Sequence, residues 1–88
     1  MLPHSSQMHN KRRILGEKLA QARKQKGLTL RDAAKALGTS YTWVSNTEKA
    51  QRNINVLELW FVCECYGINF SQLVQETISH PTLENNYA

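Results

Sequence analysis

Thr42, Ser45, Asn46 and Lys49 are residues whose types and spacing suit a definite chemistry. On a helix, at about 100° per residue, they fall on one side, opposite Val44, Thr47 and Glu48, with Tyr41 and Trp43 at the two edges. Thr and Asn side chains hydrogen-bond to nucleobase edges, Asn in a bidentate way to adenine, while threonine methyls and aromatic edges pack on the thymine methyl. Short side chains let a helix lie deep in a groove, and Lys49, near the helix end, can meet a phosphate. A face made only for solvent carries Glu and Lys at i, i+4 spacing. This one has a single Lys and no exposed acid.

The charge distribution points the same way. Residues 1–52 hold all eleven Lys and Arg of the chain against three acids, a formal +8, whereas residues 53–88 hold four acids and no Lys or Arg, a formal −4. A basic half joined to an acidic half suits a polyanionic partner for the first half.

The elements that position these residues are helical. With 88 residues the chain is one domain on length grounds. Residues 1–9, with Pro3, Ser5 and Ser6, lack periodicity and are expected to be a flexible arm. Leu15, Leu19 and Ala22 mark one face of a first helix over about residues 10–26, stopped by Gly27. Thr29 is the cap of a short second helix bearing Ala33, Ala34 and Leu37, with Asp32 three residues on. Gly38 ends that helix, and Ser40 or Thr39 caps a third running to about Lys49. Two helices of eight or nine residues joined by about three residues form a helix-turn-helix unit. Asn55 caps a fourth helix, Val56 to Tyr66, stopped by Gly67, and Asn69 or Ser71 opens a fifth. That helix cannot continue past Pro81, and a flexible tail is expected over 79–88. The expected fold is all-α, a five-helix domain over residues 10–78.

The ordered set Ala22-Arg23, Gly27-Leu28-Thr29, Ala34, Gly38, Ser40, Val44-Ser45, Glu48, Arg52, Leu59, Gly67 and Leu73 resembles the Cro/CI-type, lambda-repressor-like helix-turn-helix family. The resemblance runs from Leu15 to Leu73, about two-thirds of the chain. It implies a compact DNA-binding domain whose third helix reads bases with Tyr41, Thr42, Ser45 and Asn46. It also implies an ion pair between Arg23 and Glu48, which explains an acid on the core side of that helix, since a lone buried acid is costly. Three positions depart from the family pattern. Leu30 stands where a phosphate-holding Gln is usual, so Thr29, Arg31 or a backbone N–H must take over that work; Lys49 and Arg52 complete the expected phosphate contacts. Ala50 replaces the glycine that follows the recognition helix, so a less tight turn is expected there. Thr47 replaces a large apolar residue, and Trp43 is expected to pack into the space.

The fourth helix carries two apolar lines. Val56, Leu59, Trp60, Cys63 and Tyr66 are expected to face the core, while Leu57, Phe61 and Cys65 form a second line that one small domain cannot easily bury. Either the fifth helix and the tail cover that line, or a second copy does; members of the family bind as twofold dimers, so Leu57, Phe61 and Leu73 are the expected homodimer interface.

Other chemistries find little footing. His4, His9 and His80 lie in the expected loose ends, without metal-ligand spacing or an acid partner, and there is no phosphate-binding glycine loop. Cys63 and Cys65, two apart on a helix, point to different faces and are expected as reduced thiols. No enzyme activity, cofactor or metal is expected, and neither a membrane span nor a secretory signal, so a cytoplasmic protein is expected. The reading is a sequence-specific double-stranded-DNA-binding transcription regulator, a repressor acting as a homodimer on a pseudo-palindrome. Two alternatives remain: a DNA-binding antitoxin or controller partner of a linked protein, and a protein-interaction module that keeps the fold without reading DNA.

Overall fold

Local stop and start signals divide the chain into five helices. The structure, a computed structural model, describes residues 5–81. These form α1 (Ser5–Gln25), α2 (Leu30–Leu37), α3 (Tyr41–Glu48), α4 (Val56–Tyr66) and α5 (Phe70–Ser79), with no strand among the described residues. The side chains of Thr29, Ser40, Asn55 and Asn69 each accept a hydrogen bond from the backbone N–H three residues on, and so cap α2, α3, α4 and α5. Asp32 and Glu58 return the bond to the capping residue's own N–H, closing two capping boxes.

Helix α1 starts at Ser5, five residues before the expected boundary at Asn10. The first buried side chain in it is Ile14. Its opening turns therefore run past the core and need no apolar face, which is why periodicity does not reveal them. Lys11 Nζ ties this end to α5 by donating to His80 O at 3.0 Å. Residues 1–4 of the expected arm, with His4, and residues 82–88 of the expected tail lie outside the described residues.

The core is formed by Ile14 and Leu19 of α1, Ala33 and Ala34 of α2, Val44 of α3, Leu59, Val62, Cys63 and Tyr66 of α4, and Leu73 of α5. The alanines let α2 come close to its neighbours, and α2 packs on both α3 and α4. Helix α1 packs against α3 and α5.

Two expectations change here. Leu73, expected at an interface between copies, is 6% exposed and belongs to the core. In α4 the buried face is Leu59, Val62, Cys63 and Tyr66, an i, i+3, i+4, i+7 set. Val56 and Trp60, expected inside, join Leu57 and Phe61 in an exposed stripe. With apolar residues nearly all round the helix, the pattern fixes that two faces exist but not which one the other helices cover.

Candidate nucleic-acid interface

The turn between α2 and α3 is set by backbone chemistry. Gly38 takes a left-handed conformation, φ 71°, and its N–H and that of Thr39 donate to Lys35 O at 3.2 Å and Ala34 O at 2.9 Å. The chain reverses there, Ser40 Oγ accepts from Trp43 N at 3.0 Å, and α3 begins.

Helix α3 is seated from behind. The Arg23 guanidinium grips the Glu48 carboxylate in a two-pronged pair, Nε to Oε2 at 2.6 Å and Nη2 to Oε1 at 3.1 Å. Its remaining nitrogen, Nη1, donates to Leu28 O at 2.8 Å. Both side chains are nearly enclosed, and the bond to Glu48 raises the Arg23 pKa further, so the guanidinium keeps its charge. About two turns before Arg23, Gly16 brings the α1 backbone against the end of α3. A β-carbon there would collide with the Glu48 carbonyl oxygen and lie 3.1 Å from that of Thr47. Gly16 was not singled out by sequence reasoning; the available signal was a glycine inside a helical pattern, which implies a packing reason.

The far end of α3 closes in an unusual way. Gln51 N donates to Asn46 O at 2.8 Å and Ala50 N to Thr47 O at 3.3 Å, the same pair of bonds that ends α1, α2 and α4 at Gly27, Gly38 and Gly67. Here the left-handed residue is Ala50, with φ 60°. The looser turn expected from alanine is not found: the chain keeps the tight turn and accepts the strain of a β-carbon at positive φ.

The expected base-reading residues divide. Tyr41 and Thr42 are exposed, Asn46 is half-buried and Lys49 is exposed, all on the outward arc of α3. Ser45 lies on the same arc but is 8% exposed, so its hydroxyl is the least accessible of the set. Val44 and Thr47 face the core. Trp43 packs against the core and borders, with Leu19, Leu37, Thr47, Val62 and Tyr66, a residual void of about 10 Å³ beside the short Thr47 side chain.

Among the expected phosphate contacts, Thr29, Arg31 and Lys49 are exposed. The Thr29 Oγ1 accepts from Asp32 N, and the Thr29 side chain and backbone N–H both bond the Asp32 carboxylate, which holds that carboxyl below the usual carboxylate range. Leu30 is tucked against the core. Arg52 is different: it is engaged within the chain by Trp43, Thr47 and Glu58.

Ion pairing leaves a pattern in the charge. Arg13, Lys18, Arg23 and Arg52 are matched by Glu17, Glu76, Glu48 and Glu58. Among the described residues Lys11, Arg12, Lys24, Lys26, Arg31, Lys35 and Lys49 have no ion pair, and Arg31, Lys35 and Lys49 of these lie on the helix-turn-helix unit. An anion approaching α2 and α3 therefore meets cations that need not be freed first.

The family described as a helix-turn-helix domain matches residues 14–64, more than half of the chain. The chain belongs to the helix-turn-helix family. This helix-turn-helix protein is of the Cro/CI-like kind. It is 30% identical over 70 residues to the uncharacterized HTH-type transcriptional regulator y4dJ of Sinorhizobium fredii (strain NBRC 101917 / NGR234), a match spanning 80% of this chain and 91% of that protein. It is also similar to two solved structures of the clp gene regulator ClgR from Corynebacterium glutamicum. One has a TM-score of 0.71 at 30% identity, covering 76% of this chain and 86% of that one. The other has a TM-score of 0.74 at 27% identity, covering 88% of this chain and 82% of that one.

The helix-turn-helix protein holds no cluster of three or more His, Cys, Asp or Glu suited to a metal among the described residues. Cys63 is buried and Cys65 half-buried, and both are free thiols. No described helix is long and apolar enough to cross a membrane.

Proposed function

We propose that this DNA-binding transcription regulator is a repressor that binds a pseudo-palindromic operator as a homodimer. Tyr41, Thr42 and Asn46 read base edges in the major groove, with Ser45 approaching only where the groove floor comes close. Thr29, Arg31 and Lys49 hold phosphates on either side. The observation that carries this reading is the outward arc of α3: short, polar and free of acids, on a helix whose one acid is turned inward and neutralised by Arg23. The relatives' names, transcriptional regulator and gene regulator, favour the same role.

The dimer half of the reading rests on α4. Val56, Leu57, Trp60 and Phe61 make a continuous exposed apolar stripe, with Leu57 74% exposed. Such a stripe is costly in water and fits a twofold interface, which would set two copies of α3 about 34 Å apart, one turn of DNA. The same stripe also suits a different protein, as in an antitoxin or controller paired with a linked product.

Selection of bound duplexes from a random pool, followed by sedimentation of the complex, tests both halves. The expected result is an inverted repeat bound by two chains. Recovery of no preferred sequence would remove base reading, and a one-chain complex on a half-site would remove the homodimer.

A further inference from the structure

Arg52 lies in the loop between α3 and α4, where its guanidinium meets three partners. Its Cζ is 4.3 Å from the centroid of the Trp43 ring. Nη1 donates to Thr47 Oγ1 at 3.3 Å and Nη2 to Glu58 Oε1 at 3.4 Å. Thr47 Oγ1 in turn donates a hydrogen bond to Trp43 O at 2.7 Å, one turn back along α3. On the other side, Glu58 Oε1 also accepts from Asn55 N at 3.0 Å, so the carboxylate that holds Arg52 belongs to the capping box of α4. A continuous chain of contacts thus runs from the start of α4 to the back of α3, and it spans the loop that contains the strained Ala50.

We propose that Arg52 is a positioning residue for base reading. It clasps α3 to α4 and so fixes the angle at which Tyr41, Thr42 and Asn46 are presented. This rests on the base-reading role of α3. Helix α3 has only eight residues, and Thr, Val, Ser and Asn are modest helix formers, so tertiary contacts must hold it. Gly16 and the Arg23–Glu48 pair hold its α1 side; Arg52 holds the other. A strained residue such as Ala50 persists only where its surroundings over-determine it, and the clasp does so from both ends of the turn. With its ring-facing surface covered and its terminal nitrogens turned to Thr47 and Glu58, Arg52 leaves phosphate contact to the cations that have no ion pair.

Arg52→Lys in the full chain separates the two roles, because Lys keeps the charge but loses the flat fork and the stacking surface. The first readout is amide hydrogen exchange of the free protein at Ala50 and Gln51, whose N–H groups close the end of α3. The second is binding to a selected duplex and its single-base variants across a salt series. The clasp predicts faster exchange at both amides, discrimination between duplexes reduced on the order of tenfold, and an unchanged salt slope. Glu58→Gln, a milder change that keeps the fold if Arg52→Lys does not, should act in the same direction. Unchanged exchange and discrimination in Arg52→Lys, with the salt slope lowered by about one in Arg52→Gln, would overturn the proposal in favour of a phosphate contact. Failure of the unmodified protein to prefer any duplex would overturn base reading itself, and the exchange data would tell that failure apart from loss of the clasp.

Discussion

Gly16 and Glu48 meet backbone to backbone: the α1 position that lacks a side chain faces the carbonyl oxygen that ends α3. The depth at which α3 rests on α1 is therefore set by an absent methyl group. The Glu48 side chain then reaches along α1 to Arg23, so one residue anchors α3 through both its carbonyl and its carboxylate.

Gly16→Ala should destabilise the protein even though alanine is the better helix former. The propensity gain is about 1 kcal/mol, against roughly 1–3 kcal/mol for forcing a methyl into a packed backbone contact. A net loss is expected in urea denaturation.

Ala50→Gly should do the reverse. A β-carbon at positive φ costs about 1–2 kcal/mol, while the added freedom of glycine in the unfolded chain returns roughly 0.5–1 kcal/mol of that. The expected outcome is a small rise in the urea midpoint, with the slope of the transition unchanged. The two substitutions exchange glycine and alanine in opposite directions, and each should move stability against the simple propensity of its residue or its place in the chain.

Glu48→Ala leaves the Arg23 guanidinium enclosed without its partner. Breaking a buried pair from one side costs about 3–5 kcal/mol, a large part of the roughly 5–15 kcal/mol that holds a small domain together. Replacing both residues by apolar ones, Arg23→Met with Glu48→Leu, should recover most of the loss. Chemical denaturation of the single and double variants measures both effects.

Tyr66 links stability to alkaline pH. Burial, and after it the nearby Glu48 carboxylate, pushes its hydroxyl pKa up to about 12. Since the folded value is raised, the contribution is whole below the unfolded value of about 10 and is lost as pH climbs through the folded one. Stability should fall by about 2 kcal/mol across that window, and Tyr66→Phe should remove this part of the fall. Denaturation midpoints at pH 8 to 12 for both proteins check it.

Much of the fold was legible because its signals are local. Thr29, Ser40 and Asn55 cap where expected, and Gly27, Gly38 and Gly67 end their helices in the left-handed conformation. The pairing of Arg23 with Glu48 follows from the family resemblance and from the cost of burying a lone acid. What was not legible depends on tertiary placement. Ser45 shares the outward arc of α3 by angle alone, but a side chain this short does not clear its neighbours. The two faces of α4 are both apolar, so only packing shows that Val62 is covered and Trp60 is not. Leu73 was assigned to an interface by residue type, which does not report that the folded chain covers it, and residue type likewise does not reveal the contacts of Arg52 with Trp43, Thr47 and Glu58.

Asn46→Ala and Lys49→Gln, compared on the selected duplex and its single-base variants across a salt series, test most directly whether α3 reads bases. Asn46→Ala should flatten discrimination at one base position by about 1–3 kcal/mol and leave the salt slope unchanged. Lys49→Gln should weaken all duplexes alike and lower the slope by about one. If Asn46→Ala loses affinity equally on every sequence, or loses none, the outward arc of α3 does not read bases and the account is contradicted.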